Sequence, residues 1–275
     1  MAQFTSILIL LAATTHSANA FVPRHQLSTR HAVVLSSTSV EAPDEKSSMT
    51  TLNLIGEVTK SSEAAPATKN LIDFFSLPDS ASLILRGSKN NKIVEITNPD
   101  ATLLEAYEKQ CKIVDAKAPG PDDKFFDVTT SGVQFPGLKV ITLATIGVNI
   151  FKCNQGLPSY QFVLIKDCTY AEGNRIFVWF FNKVTGKDGS EDNEATTQSL
   201  NIIKTVPIGN DKIVFEAKAS LRVRVKFPSL LMKVIPNGKL KSEQTGGESL
   251  RKVLDADLPV ALSRFCEEYK HWLEN

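Results

Sequence analysis

The sequence predicts an α+β fold, a curved antiparallel sheet wrapped on one long C-terminal helix, and three observations carry that expectation. Residues 212–227, KIVFEAKASLRVRVKF, alternate apolar and polar side chains throughout, with Val214 the one apolar residue out of phase. Strict alternation is the side-chain period of a strand and excludes a helix. At about 3.3 Å per residue such a strand extends roughly 50 Å, so it must bend, and small Ala217, Ala219 and Ser220 are the place for the bend. Ahead of it, extended segments are separated by short turn signals, which favours antiparallel neighbours because a parallel pair needs a long crossover. Behind it, Leu250, Leu254, Leu258, Leu262, Phe265, Tyr269 and Trp272 recur every three or four residues, a single apolar helix stripe that can cover the greasy face of the sheet.

Composition bounds the rest. The chain has 275 residues, 42% of them hydrophobic, with Lys+Arg 31 against Asp+Glu 30. That balance describes a soluble globular protein with a real core and no overall electrostatic attraction to nucleic acid. After Phe21 no run approaches the roughly 18–20 continuous apolar residues of a membrane span. The four cysteines, Cys111, Cys153, Cys168 and Cys266, form no CxxC pair, which argues against a zinc ribbon or a thioredoxin-like site. Cys153 and Cys168 are the one pair that adjacent strands could bring face to face.

The beginning of the chain reads as an address. Residues 1–20 contain the apolar core ILILLAA, followed by SANA, whose Ala18 and Ala20 suit a signal peptidase. From Phe21 to Ser39 the chain is basic and hydroxyl-rich, with no acid before Glu41, the composition of a transit peptide. Residues 32–69 continue as a Ser-, Thr-, Ala- and Glu-rich stretch with only the brief apolar group Leu52, Leu54 and Ile55, read as disordered linker. The expected organisation is a signal peptide at 1–20, transit peptide and linker at 21–69, and a single domain at 70–275.

Within that domain, residues 71–75 form a short apolar turn stopped by Pro78. Residues 82–86 and 92–96 flank a Gly-Ser-Lys-Asn-Asn sequence and read as a hairpin. Asp100 is an N-cap for a helix carrying Leu103, Leu104, Tyr107 and Cys111 at helical spacing. A Pro-Gly-Pro loop follows at 116–124. Residues 125–128, 138–151, 160–166, 175–181, 198–206 and the long alternating stretch are read as strands. In the fourth of these segments, Arg175 to Phe181, both faces are apolar, which suits a strand covered on both sides or placed at an interface. Gly246-Gly247 precedes the final helix, and Pro259 should kink or divide it, with Asp257 able to cap the second part.

The chemistry is bounded mainly by what is scarce. After processing, His271 is the only histidine left, so Ser-His-Asp and Cys-His arrangements lose their base and a histidine zinc site lacks ligands. Neither GxGxxG nor GxxxxGK[ST] occurs, and no cofactor or metal is implied. Asp100, Glu105, Glu108, Asp127, Asp167 and Glu172 could supply an acid–base pair, but their default is a solvated surface. The outward face of the alternating strand carries Lys212, Lys218, Arg222, Arg224 and Lys226 against Glu216. It discourages edge aggregation, and Lys218, Arg222, Arg224 and Lys226 also form a candidate patch for an anionic partner such as a thylakoid lipid surface. The aromatic set Phe177, Trp179, Phe180, Phe181 and Phe215 reads as core before it reads as a ligand cage.

The run ANA-FVP, joining a signal peptide to a transit peptide with Phe first after cleavage, resembles the bipartite plastid presequence of diatoms and other algae with complex plastids. The resemblance implies import into the plastid (chloroplast), with the stroma preferred because no second signal-like apolar stretch follows. From Ile93 to Trp272, the residues Phe135-Pro136-Gly137-Leu138-Lys139-Val140, Phe227-Pro228, Gly246-x-x-x-Leu250 and Glu268-Tyr269-Lys270-His271-Trp272 resemble a cyanobacterial and plastid family classed as a domain of unknown function. That family ends in Asp-Tyr-x-x-Trp, and Glu268 stands here where it has Asp. The order of elements is also similar to the helix-grip fold of lipid-transfer and pollen-allergen-like proteins. What the similarity implies is a hydrophobic small molecule, a lipid or pigment precursor, held between sheet and helix. The positions expected to line such a pocket are Leu221, Val223, Val225 and Phe227 from the strand with Leu262, Phe265 and Tyr269 from the helix. Two rival readings remain: an assembly factor or scaffold for a photosynthetic complex acting through the basic strand, and a cyclase- or hydrolase-like enzyme using carboxylates or Tyr269 in place of histidine.

Overall fold

The computed structural model describes residues 49–68, 70–86, 91–130, 133–135, 137–153, 156–184, 197–228 and 238–275. The signal and transit segments expected before residue 49 lie outside them. In chain order the elements are β1 (Met49–Ser61), β2 (Ala65–Pro66), α1 (Leu71–Ser76), α2 (Ser80–Arg86), β3 (Lys92–Ile96), α3 (Ala101–Ile113), β4 (Lys124–Thr129), β5 (Val133–Phe135), β6 (Leu138–Lys152), β7 (Pro158–Gly173), α4 (Arg175–Val184), β8 (Thr197–Ile208), β9 (Lys212–Pro228) and α5 (Gly238–Glu274).

The strands described form one curved antiparallel sheet, ordered β1-β9-β8-β7-β6-β4-β3, with β2 added to β9 and β5 to β6. Alternation in β9 sets the two faces. Ile213, Phe215, Ala217, Ala219, Leu221 and Val223 are buried on the inner face, whereas Lys218, Arg222 and Arg224 are exposed on the outer one. The strand runs unbroken to Pro228, and the register irregularity falls instead between β6 and β7, at Thr145/Ile146. Against the inner face lies α5, burying Leu250, Leu254, Leu262, Phe265 and Tyr269 and exposing Arg251, Lys252, Glu267 and Glu268. The first half of α5 packs with Leu52, Leu54, Val58, Leu221 and Val223. The second half closes on an aromatic cluster with α1: Phe265 lies 5.1 Å from Phe74 and 4.9 Å from Phe215, centroid to centroid. Each such side chain contributes about 1.5–3 kcal/mol through burial. On the outer face α3 lays Leu103, Tyr107 and Cys111 over Phe125, Val163 and Ile165, so residues 158–165 of β7 are buried on both sides. Asp100 caps α3 as its sequence implies, its side chain accepting from Leu103 N at 2.7 Å.

Six readings of the sequence are decided by the structure. The linker does not reach residue 69: β1 pairs with β9 from Met49↔Pro228 to Ser61↔Glu216, and Leu52, Leu54, Gly56 and Val58 alternate inward. Residues 82–96 are not a hairpin, because Ser80, Ala81 and Leu85 place a buried stripe on a helix, α2. Residues 175–181 are helical, since Gly173 ends β7 at φ 135 and the Asn174 side chain accepts from Ile176 N at 3.0 Å, capping α4. The glycines 246 and 247 lie inside α5 rather than before it, and Pro259 does not divide that helix. Cys153 and Cys168 are both free. The Cys153 N–H bonds Leu157 O while Cys168 pairs with Leu143, an interval of about 35 Å along β7 that no disulfide spans.

Candidate functional site

Between the two halves of the inner core the packing opens into a cavity of about 50 Å³. The sheet supplies Ile146, Phe162, Leu164, Ile203 and Ala217, α2 supplies Ile84 and Leu85, and α5 supplies Leu254, Leu258 and Ala261. Small residues make the space: Ala217 on β9 and Ala261 on α5 leave room that a longer side chain would fill. Three polar residues break the apolar wall, Ser199 and Asn201 at successive inward positions of β8 and Asp257 on α5.

The inner face becomes polar beyond this point. Thr197, the next inward residue of β8, pairs with Val223, and its hydroxyl donates to Asp167 Oδ2 at 3.2 Å. Asp167 pairs with inward Ala144, and the hydroxyls of Thr142 and Thr169 on the neighbouring rungs are 3.2 Å apart. Residues directly opposite across a sheet share a face, so a row of hydroxyls and one carboxylate continues from the cavity along β8 and β7.

Leu221 and Val223 pack on one flank of the cavity, with β1 and the first half of α5. Leu262, Phe265 and Tyr269 pack on the other, in the aromatic cluster. The side chains of Val225, Phe227 and Lys226 lie outside the described residues. Tyr269 is fully buried, and its hydroxyl donates to Pro66 O at 2.9 Å. Burial, with the nearby Cys266 thiol, pushes its pKa up to about 12. Tyr160 is held similarly: its hydroxyl donates to the Phe75 carbonyl and shares a hydrogen bond with Ser80, and burial raises its pKa.

Lys218, Arg222 and Arg224 share the outer face of β9 as expected, with exposed Ile55 opposite Arg222. The aromatic set is not a single group: Phe215 is in the core, whereas Trp179 is 60% exposed on α4. His271 is exposed beside Asn275. The candidate carboxylates are dispersed. Asp100 caps α3, Glu108 pairs with Lys112 at 2.6 Å, and Asp127 accepts from Thr145 at 2.6 Å. Among the described residues no cluster of His, Cys, Asp and Glu suits a metal ion, and no helix is long and apolar enough to cross a membrane.

Sequence reasoning missed Ser199, Asn201 and Asp257. The signal in β8 was ambiguous, because its outward phase holds Leu200 and Ile202 while its inward phase holds Thr197, Ser199 and Asn201. Asp257 sits within the apolar stripe of α5, one residue before Leu258, where it read as a cap.

No protein-family model matches the chain, and no curated protein does. Among solved structures, norcoclaurine synthase from Thalictrum flavum, in a truncated form, aligns at 14% identity over 75% of this chain and 95% of that one, with a TM-score of 0.27. The same enzyme in complex with dopamine and hydroxybenzaldehyde aligns at 12% identity over 82% and 98%, TM-score 0.25. A START superfamily protein from Mycobacterium smegmatis aligns at 13% identity over 60% and 93%, TM-score 0.17. Nothing about ligand or chemistry follows from likeness at this level.

Proposed function

We propose that this protein binds a hydrophobic small molecule between the sheet and α5, acting as a carrier in the plastid stroma. The observation that carries the reading is the cavity of about 50 Å³ with its apolar wall and polar rim, the pattern of a small-molecule site: mostly apolar, with a few convergent polar groups. The volume suits a fragment of a few carbon atoms, well below the roughly 300–1,000 Å³ of drug-sized pockets. A lipid or pigment precursor, the ligand class we favour, therefore requires the wall to move. Pro259 stands between wall residues Leu258 and Ala261, and its missing N–H removes one intrahelical bond where α5 covers the cavity, making this the easiest place for the helix to bend. Leu221, Val223, Leu262, Phe265 and Tyr269, on the two flanks of the cavity, then become the walls of the enlarged site.

A second reading, docking to a thylakoid surface or a photosynthetic complex, is favoured by Lys218, Arg222 and Arg224 on the outer sheet face and by Ile176 and Trp179, 72% and 60% exposed on α4. Native mass spectrometry with lipid and pigment extraction, on protein isolated from its own cells, separates the two. A stoichiometric apolar passenger supports the carrier; an empty protein recovered with photosynthetic subunits overturns it in favour of docking.

A further inference from the structure

Given the binding reading above, the shape of the cavity narrows the ligand class. Its wall runs from dry to wet. On the sheet side Ile146, Phe162, Leu164, Ile203 and Ala217 are all buried. The half-buried residues of the described wall are Ile84 on α2, Asn201 on β8, and Asp257 with Leu258 on α5. They mark a mouth where α2 packs against α5, with Ile84 and Leu258 as its apolar lips. An occupant with one polar end therefore points its apolar end inward. The polar wall residues do not choose the head, since Ser199, Asn201 and Asp257 each already has an interaction within the protein. Selection falls to the tail.

A cavity of about 150 Å³ accommodates benzene, whereas this one holds about 50 Å³. A ring must spread the wall to its full width before any of it is buried, and forcing extra carbon into a packed interior is penalised. Phe162 is the one aromatic residue in the described wall, so a ring gains little stacking to offset that cost. An unbranched chain enters one carbon at a time, and its terminal carbons fit the space that Ala217 and Ala261 leave open.

We infer that the cavity takes the methyl end of an unbranched alkyl chain, inserted between α2 and α5 with its head left at the mouth, and discriminates against molecules led by a ring. Of the passengers proposed above, single-chain lipids fit and ring-shaped pigment precursors do not. The probes are n-butanol and benzyl alcohol, which share a primary hydroxyl head and differ in the tail. Each is titrated into the full chain while the methyl resonances of Leu258 and Ile203 are followed by NMR. n-Butanol is expected to shift both, with benzyl alcohol at least tenfold weaker although it has more apolar surface to bury. In the n-butanol complex the terminal methyl should show nuclear Overhauser effects to Ile203 and Ala217, and the protons of the hydroxyl-bearing carbon to Ile84 and Leu258. Leu164→Ala enlarges the cavity and should bring benzyl alcohol to within about threefold of n-butanol.

If neither probe shifts the methyls, the cavity is not a ligand site and the binding reading falls with this inference. Benzyl alcohol binding as tightly as n-butanol leaves the site standing and overturns the preference for a chain. A hydroxyl-bearing end found against Ile203 and Ala217 overturns the direction of insertion. Continued rejection of benzyl alcohol by a folded Leu164→Ala variant overturns cavity size as the cause. The wild-type titrations need no variant, so loss of folding in Leu164→Ala leaves the inference open to refutation.

Discussion

Gly147 on β6 supports the ring of Tyr107 directly on bare backbone: a Cβ at this position would stand 2.4 Å from Cε2 of the ring. Tyr107 is fully buried and meets Phe125 edge-on at 5.2 Å, so its ring cannot move aside without disturbing the α3 interface. Gly147→Ala should therefore cost about 1–3 kcal/mol, the range for overpacking a filled core. The denaturant midpoint measures it, and a Tyr107→Leu background, which removes the ring, should recover most of the loss. An unchanged midpoint in Gly147→Ala would contradict the contact.

Gly247 gives a prediction opposite in sign to the general rule. Alanine replacing glycine inside a helix ordinarily stabilises by roughly 0.5–1 kcal/mol. Here a Cβ would stand 2.7 Å from the carbonyl oxygen of Ile55, and one on Gly56 would stand 2.8 Å from Leu250 Cβ. Backbone oxygen cannot swing away like the end of a side chain, so Gly247→Ala should lower the melting temperature by separating α5 from β1. A melting temperature that rises would show that the seam between β1 and α5 is loose.

These glycines also show why parts of the fold were legible and parts were not. The alternation of β9 was readable because its phase is interrupted only at Val214. In β1 the same alternation passes through Gly56 and has Ile55 out of phase, so the strand resembled linker until β9 was seen opposite it. Gly246-Gly247 suggested a helix boundary because sequence registers conformational freedom, whereas Gly247 serves here in close approach to a strand about 190 residues earlier. The apolar run in α4 was ambiguous for another reason: a short run with both parities filled fits a buried strand and a helix equally. At the site, the stripe of α5 and the inward face of β9 were readable. The cavity lies where short side chains from both meet, a product of pairing in space that no local pattern encodes.

A truncation tests the corrected boundary. A chain beginning at residue 70 lacks β1 and β2, exposes the backbone edge of β9, and uncovers Leu221, Val223, Leu250 and Leu254. Unpaired edges next to apolar surface promote aggregation. The fragment 70–275 should be insoluble or fail to give a cooperative melt, while 46–275 should melt as one unit. Equal melts for both would make β1 dispensable.

Alkaline pH should unfold the protein in a defined window. Burial raises the Cys111 thiol from 9.0 to about 11 and the Tyr269 phenol from 10.0 to about 12, and raises Cys266, Tyr160 and Tyr107 as well. A group whose folded pKa lies above its unfolded value stabilises fully below the unfolded value and stops doing so as pH passes the folded one. Stability should thus be insensitive to these groups below about pH 9 and fall steadily between pH 9 and 12. Tyr269→Phe should flatten the fall between pH 10 and 12, at the cost of the bond to Pro66 O. A fall equally steep in that variant would assign the alkaline transition to the other groups.

Filling the cavity separates binding from stability. Ala217 is buried on β9 and borders the cavity opposite α5, and valine suits a strand. The two added carbons of Ala217→Val enter the open volume of about 50 Å³, gaining apolar contacts while occupying space a ligand would use. The melting temperature should hold or rise slightly, and the affinity for n-butanol, read from the Leu258 and Ile203 methyls, should fall at least tenfold. A variant that stays folded and binds butanol as before would place the ligand elsewhere. One that loses stability by more than about 1 kcal/mol would mean that the space is already closed by motion of α5, since overpacking is penalised only where no void remains.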